Sequence, residues 1–97
     1  MTADLVLHQK ITDESGNTIE MKIWRVPHSS HMPHGFKYSL VYIVNGDRII
    51  GYDNGERRGD HRHFRGVETK YVFRSVRQLV RDFQADVARY KERSNED

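Results

Sequence analysis

The feature that most restricts the fold is the pair Asn45-Gly46, which separates two stretches of alternating apolar and polar residues. A two-residue type I′ turn needs a positive φ at both central positions, and Asn-Gly is the pair that best supplies it. The preceding stretch, residues 36–44, has the alternation of a central strand. Residues 48–53 are therefore predicted to fold back antiparallel to it, which brings Tyr52 and Asp53 to the start of the segment that follows.

Further strands are predicted on both sides of this hairpin. Residues 5–11 and 19–23 alternate around the turn residues Gly16 and Asn17, which favours a second hairpin whose first strand has one buried face. Residues 61–64 and 70–73 are short strand candidates that flank Gly66.

One amphipathic helix is predicted over residues 76–93, followed by a frayed polar end at residues 94–97. Ser75 and Gln78 have the spacing of a capping box at the start of this helix. The predicted fold class is α+β. A single domain over residues 1–97 would contain a meandering antiparallel sheet of four to six strands, with the C-terminal helix packed on one face.

Composition limits the classes of protein that this chain can represent. Cysteine is absent, which excludes disulfides and thiolate zinc sites. Neither a signal-peptide pattern nor an apolar run of bilayer length is present, so a cytoplasmic protein without membrane contact is expected. The formal net charge of +2 is too small for binding nucleic acid through charge alone, so any contact with RNA must be local.

The segment GYDNGERRGDHRH, residues 51–63, holds the densest chemistry in the chain. If its end is extended, His61 and His63 project to one face about 7 Å apart, while the residues beside them project to the other. Imidazoles titrate near neutrality, so one can accept a proton while the other donates one, as cleavage of RNA through its own 2′-hydroxyl requires. The predicted catalytic residues are His61, His63, Asp53 and Tyr52.

Arginines surround the two histidines, and their forked donors suit phosphate oxygens and developing negative charge. The residues predicted to bind phosphate or RNA are Arg57, Arg58, Arg62 and Arg65. The sequence therefore predicts a ribonuclease that works by acid–base chemistry.

A metal site is the main chemical alternative. A third ligand beside His61 and His63 could come from one of several residues, namely His28, His31, His34, Asp53 and Asp60. Because the ligand spacing is loose, we predict no bound metal and no other cofactor.

Non-catalytic alternatives also stay open. The histidines could be surface residues paired with carboxylates, and the whole chain could be a module that binds a protein or nucleic acid without cutting it. If both histidines are exposed, replacing either with alanine should change the free energy of unfolding by less than about 1 kcal/mol.

With these residues laid out, the chain resembles the TumE family of small proteins, which are encoded in bacterial and archaeal toxin–antitoxin modules. The resemblance covers nearly the full length. It rests on KIWRVP, KYSLVYIVNG, the combination of YDN with GDHRH, and LVRDFQADV; Arg58-Gly59 stands where a lysine-glycine pair is expected, with the charge retained. The resemblance implies a cytoplasmic toxin neutralised by a helix-turn-helix antitoxin. Ribonuclease activity is an inference from the histidines and arginines, not from the resemblance.

Overall fold

The computed structural model describes residues 3–55 and 57–94, in which six strands precede one helix. The strands are β1 (Asp4–Thr12), β2 (Thr18–Arg25), β3 (Phe36–Val44), β4 (Asp47–Asp53), β5 (His61–Phe64) and β6 (Val67–Lys70), and the helix is α1 (Val76–Ser94). The strands form one antiparallel sheet in chain order, β1-β2-β3-β4-β5-β6. The predicted α+β meander is confirmed. Residues 95–97 of the end predicted to fray lie outside the described part of the chain.

The central hairpin forms at the predicted turn. Asn45 has a φ of 52° and Gly46 a φ of 81°, and Val44 pairs with Asp47 across them. This pairing fixes the register of β3 and β4. As a consequence, Ser39 lies opposite Asp53 at the far end of the hairpin.

Helix α1 covers one face of the sheet, which we call the helix face. The side chains buried between the two layers are Met21, Ile23, Tyr38, Leu40, Tyr42, Ile50, Tyr52, Leu79, Phe83 and Val87. Ser75 caps α1, because its Oγ accepts a hydrogen bond from the Gln78 amide at 3.0 Å. Only this half of the predicted capping box is observed, since the Gln78 side chain donates to Asp82 instead.

Two sequence predictions about the edge strands are wrong. The last strand begins at Val67, not at residue 70, because Arg65 and Gly66 both adopt positive φ and turn the chain directly after β5. In β1, Leu5 and Ile11 are 60% and 46% exposed, so the expected buried face does not form there. The helix packs over the middle of the sheet, and β1 is an outer strand.

The opposite face of the sheet, which we call the open face, carries polar side chains. One row crosses five strands in register, and it consists of Lys22, Ser39, Asp53, His61 and Lys70. These residues alternate with the buried ones along their strands, so their side chains point away from α1. The meander thereby assembles residues from distant parts of the sequence on one surface.

Candidate functional site

The pairing of β4 with β5 brings the predicted acid–base residues together on the open face. Asp53 pairs with His61, and Gly51 pairs with His63. The two imidazole rings lie with their centroids 5.4 Å apart, almost perpendicular to each other at 76°. The predicted common face of the two histidines is therefore confirmed.

His61 is held by acceptors at both ring nitrogens. Its Nε2 lies 2.5 Å from Oδ1 of Asp53, and its Nδ1 lies 3.0 Å from the carbonyl oxygen of Gly59. A carbonyl oxygen only accepts hydrogen bonds, so Nδ1 is the donor to Gly59. The side chain is only 7% exposed. These two contacts fix the orientation of the His61 ring.

His63 has a different environment. Burial of its ring, with the nearby positive charge of Arg48, lowers the pKa of His63 below its usual value of 6.5. Its Nε2 lies 3.3 Å from Oε1 of Glu68, whose own pKa is lowered chiefly by a hydrogen bond from Arg58. The neutral form of His63 is therefore favoured near pH 7.

Arg48 reaches this cluster across the open face, and the sequence analysis did not identify it. Gly51 leaves the room for it: a Cβ at Gly51 would come within 3.2 Å of Cδ of Arg48. The guanidinium extends toward the cluster, with Nη1 at 3.8 Å from Oδ2 of Asp53. A glycine inside a strand marks a close approach of other atoms, and that was the signal available in the sequence.

A cleft of about 380 Å³ lies over these side chains. It is lined by Asp53, Arg58, His61 and His63, and also by residues that sequence reasoning missed, namely Trp24, Lys37, Ser39 and Arg48. Its volume is in the range of small-molecule binding sites. A larger depression of about 550 Å³ near Asp13 and Tyr90 is lined by no histidine, so the smaller cleft is the candidate site.

Three of the predicted site residues lie on the helix face. Tyr52 is buried and donates a hydrogen bond from its hydroxyl to Asp86 at 2.6 Å; burial, with this bond, raises the pKa of Tyr52. Arg62 donates from Nε and Nη2 to the same carboxylate, at 2.7 and 2.9 Å. Arg65 lies over the ring of Tyr90 at 5.5 Å. The structure does not bring these three to the cleft.

The remaining predicted residues are divided between the cleft and the loops. Arg58 lines the cleft and forms an ion pair with Glu68, while Arg57 is exposed in the preceding loop at a φ of 59°. Of the other histidines, His34 lies away from His61 and His63: its Nε2 bonds Asp60 at 2.9 Å, and its ring stacks on Phe73.

His28 and His31 are exposed in the loop between β2 and β3. The loop histidines therefore do not complete a ligand set with His61 and His63.

Asp53, His61 and His63 have ligand atoms within 4.8 Å of one another, so these three residues could hold a metal ion. Ligand atoms of a tetrahedral zinc ion stand about 3.3 Å apart. Nε2 of His61 and Oδ1 of Asp53 are instead only 2.5 Å apart, a direct contact between the two side chains. We interpret the cluster as two histidines and a carboxylate in direct contact, and its independence of metal stays a prediction.

Fold and cluster together define a small α+β protein with a histidine-centred acid–base cluster on an open sheet face. Residues 2–91 match the family model described as Toxin TumE, and the chain belongs to this toxin family. No curated protein and no solved structure matches the chain. Family membership confirms the resemblance noted in the sequence, and it indicates a toxin component of a toxin–antitoxin system with an antitoxin as its general partner. No helix within residues 3–55 and 57–94 is long and apolar enough to cross a membrane.

Proposed function

We propose that this toxin is a ribonuclease that cleaves RNA by metal-independent acid–base chemistry at Asp53, His61 and His63. The observation that carries the proposal is the convergence of two histidines with different surroundings on one cleft. His63 is favoured in its neutral form by burial, and His61 is surrounded by acceptors. Two chemically identical groups in different surroundings can provide a general base and a general acid.

The proposed reaction uses the 2′-hydroxyl of the substrate as its nucleophile. His63 removes the proton of this hydroxyl, and the 2′-oxygen forms a bond to the adjacent phosphorus. The bond from phosphorus to the 5′-oxygen breaks, and His61 donates its Nε2 proton to that oxygen. The products are a 2′,3′-cyclic phosphate and a free 5′-hydroxyl. Oδ1 of Asp53, which lies 2.5 Å from the same Nε2, orients the His61 ring, and this contact opens as the 5′-oxygen takes the proton.

Cations at the cleft support the choice of a phosphodiester substrate. Arg48 extends over Gly51 toward the cluster, and Arg58 is held beside it by Glu68. Guanidinium groups stabilise the negative charge that develops on phosphate oxygens in the transition state. Tyr52 and Arg62 take no part in this scheme, because their polar atoms are engaged with Asp86 on the helix face.

The physiological partners proposed here rest on the family. We propose an antitoxin of helix-turn-helix type as the neutralising partner, an expectation that comes from the resemblance, and we propose cytoplasmic RNA as the target.

The test is cleavage of RNA by the purified chain and growth arrest when it is produced alone. His63→Ala should lower the cleavage rate by about 10²- to 10⁴-fold, the usual contribution of one acid–base group. His61→Gln should do the same. The expectation that His61 is exposed is wrong, since it is only 6% exposed, is hydrogen-bonded at Nδ1 and contacts Asp53 at Nε2. Its replacement should therefore cost about 1–3 kcal/mol of unfolding free energy, which must be measured separately.

His31→Ala is the matched control, because His31 is an exposed histidine in the β2–β3 loop, outside the cleft. It should keep full activity. If folded His63→Ala and His61→Gln proteins cut RNA and arrest growth as the unsubstituted protein does, the ribonuclease proposal is wrong. Growth arrest without RNA cleavage by any of the proteins would favour the non-catalytic binding module.

A further inference from the structure

Trp24 is the only tryptophan in the chain, and it lines the same cleft as the histidine pair. It follows Ile23, which is fully buried on the helix face, so its indole lies on the open face, where it is half-buried. Lys37 is its partner in β3 and is exposed. A large aromatic ring beside a cation on an open sheet face is an arrangement that binds single-stranded nucleic acid by stacking.

The cleft extends across the sheet, from Trp24 on β2 to His61 on β5. Three strand spacings separate these two strands, which is about 14 Å. Single-stranded platforms on β-sheets hold about four or more nucleotides, so a strand bound at the histidine pair extends as far as Trp24.

The two strands between these two ends contribute a small residue and a cation. Ser39 in β3 has a small side chain, and in β4 the side chain of Arg48 lies over Gly51. Lys37 and Arg48 both line the cleft. A backbone of phosphates can therefore pass over Ser39 with cations within reach.

We propose that the cleft binds single-stranded RNA, with one unpaired base stacked on Trp24 and neighbouring phosphates held by Lys37 and Arg48. The inference rests on the proposed function, because the bound strand is the one that His61 and His63 would cut. An indole stacks on any base that exposes its face. The bases of an A-form duplex are stacked on each other and offer none, so the substrate class is unpaired RNA.

The fluorescence of Trp24 tests this directly, since no other tryptophan contributes. Wild-type protein is titrated with a short single-stranded RNA whose 2′-hydroxyls are methylated, which blocks cleavage, and with the same sequence closed into a hairpin duplex. Saturable quenching by the single strand is expected, with at least about tenfold weaker binding of the duplex.

Variants then separate stacking from charge, with binding followed through a dye on the RNA. Trp24→Ala should raise the Kd by about ten- to a hundredfold, and Trp24→Phe, which keeps a ring, by much less. Arg48→Met should reduce the slope of log Kd against log salt by about 0.7, the effect of one lost contact to a single strand. Val72→Ala is the control, because Val72 is 71% exposed and outside the cleft, and it should change neither quantity.

The outcomes distinguish the two proposals. Quenching with the expected loss in Trp24→Ala, but no cleavage of unmethylated RNA, would support the binding inference and overturn the ribonuclease. A different set of results would overturn the inference and leave the ribonuclease proposal standing. In that case RNA is cut, but the fluorescence of Trp24 does not respond. Trp24→Ala then binds RNA normally, and the salt slope of Arg48→Met is unchanged. A fluorescence response to the antitoxin but not to RNA would make the cleft a protein-docking surface, and the inference would then be wrong.

Discussion

At the scale of residues, surroundings differentiate two identical side chains. His61 faces a carboxylate and a carbonyl, while His63 is placed beside Arg48 in a partly buried position. Of the two, His63 has a lowered pKa, chiefly through burial, and its neutral ring can accept a proton. The adjacent residues in sequence, Asp60 and Arg62, support the fold instead, through Tyr38 and Asp86.

The dependence of cleavage on pH should follow from His63. Because burial and Arg48 lower the pKa of His63, this general base should stay neutral as the pH falls. The cleavage rate should therefore stay constant down to a midpoint below about pH 6.5.

The folded state binds fewer protons at His63 than the unfolded state does. Its contribution to stability is therefore present above about pH 6.5 and is lost as the pH falls through the folded pKa.

Arg48→Met should move this acidic midpoint upward but not abolish the shift, because burial is the larger cause. Single-turnover rates across pH measure it. Arg77→Met, which removes an exposed arginine of α1, is the control with no expected change. A midpoint above 6.5 that does not move in Arg48→Met would contradict the assignment of His63 as the base.

Metal removal gives a second prediction at this scale. Since Nε2 of His61 is in direct contact with Asp53, cleavage should persist in excess EDTA, and elemental analysis of protein purified without a histidine tag should find no stoichiometric transition metal. Zinc, nickel or iron at one equivalent, lost on replacing His61 and His63 together, would show that the acid–base interpretation is wrong.

At the scale of elements, most of the fold could be predicted from the sequence. Asn45-Gly46 marks the central hairpin, and the 3.6-residue period with Ser75 marks the helix, because both signals are local. The limits of β6 and the exposure of β1 could not be predicted in the same way. They depend on the positive φ at Arg65 and on which strands α1 covers, and neither is determined by alternation alone.

The packing of α1 is tested by Phe83→Ala. Phe83 is fully buried and its ring lies edge-on to Tyr52 at 6.2 Å, so its truncation leaves a cavity between helix and sheet. The free energy of unfolding should fall by about 3–5 kcal/mol in denaturant titrations. Gln84→Ala, at the exposed neighbouring position, should change it by less than about 0.5 kcal/mol. A loss below about 1 kcal/mol for Phe83→Ala would contradict this packing.

At the scale of the whole molecule, the two faces of the sheet have separate tasks. The helix face holds the core and the Tyr52–Arg62–Asp86 hydrogen-bond network, and the open face holds the acid–base cleft. Sequence reasoning predicted a site in residues 51–63 but assigned residues of both faces to it. The alternation of a strand already requires Tyr52 and Asp53 to point in opposite directions, so this separation was available from the pattern. The contribution of Arg48 was harder to predict, because it depends on the space above Gly51.

Two arginines from the same sequence segment should therefore respond in opposite ways to the same replacement. Arg62→Met removes a two-pronged bond to Asp86, a carboxylate that is only 4% exposed, and should lower the free energy of unfolding by about 2–3 kcal/mol. The salt dependence of RNA binding by the folded variant should not change, because Arg62 faces the helix.

Arg58→Met removes a half-exposed side chain that lines the cleft, so stability should change by less than about 1 kcal/mol. The slope of log Kd against log salt should decrease by about 0.7, because one phosphate contact is lost. Denaturant unfolding and RNA binding at several salt concentrations give both numbers for both variants. If Arg62→Met weakens RNA binding as Arg58→Met does while leaving stability intact, then RNA contacts the helix face, and the division of tasks between the two faces is wrong.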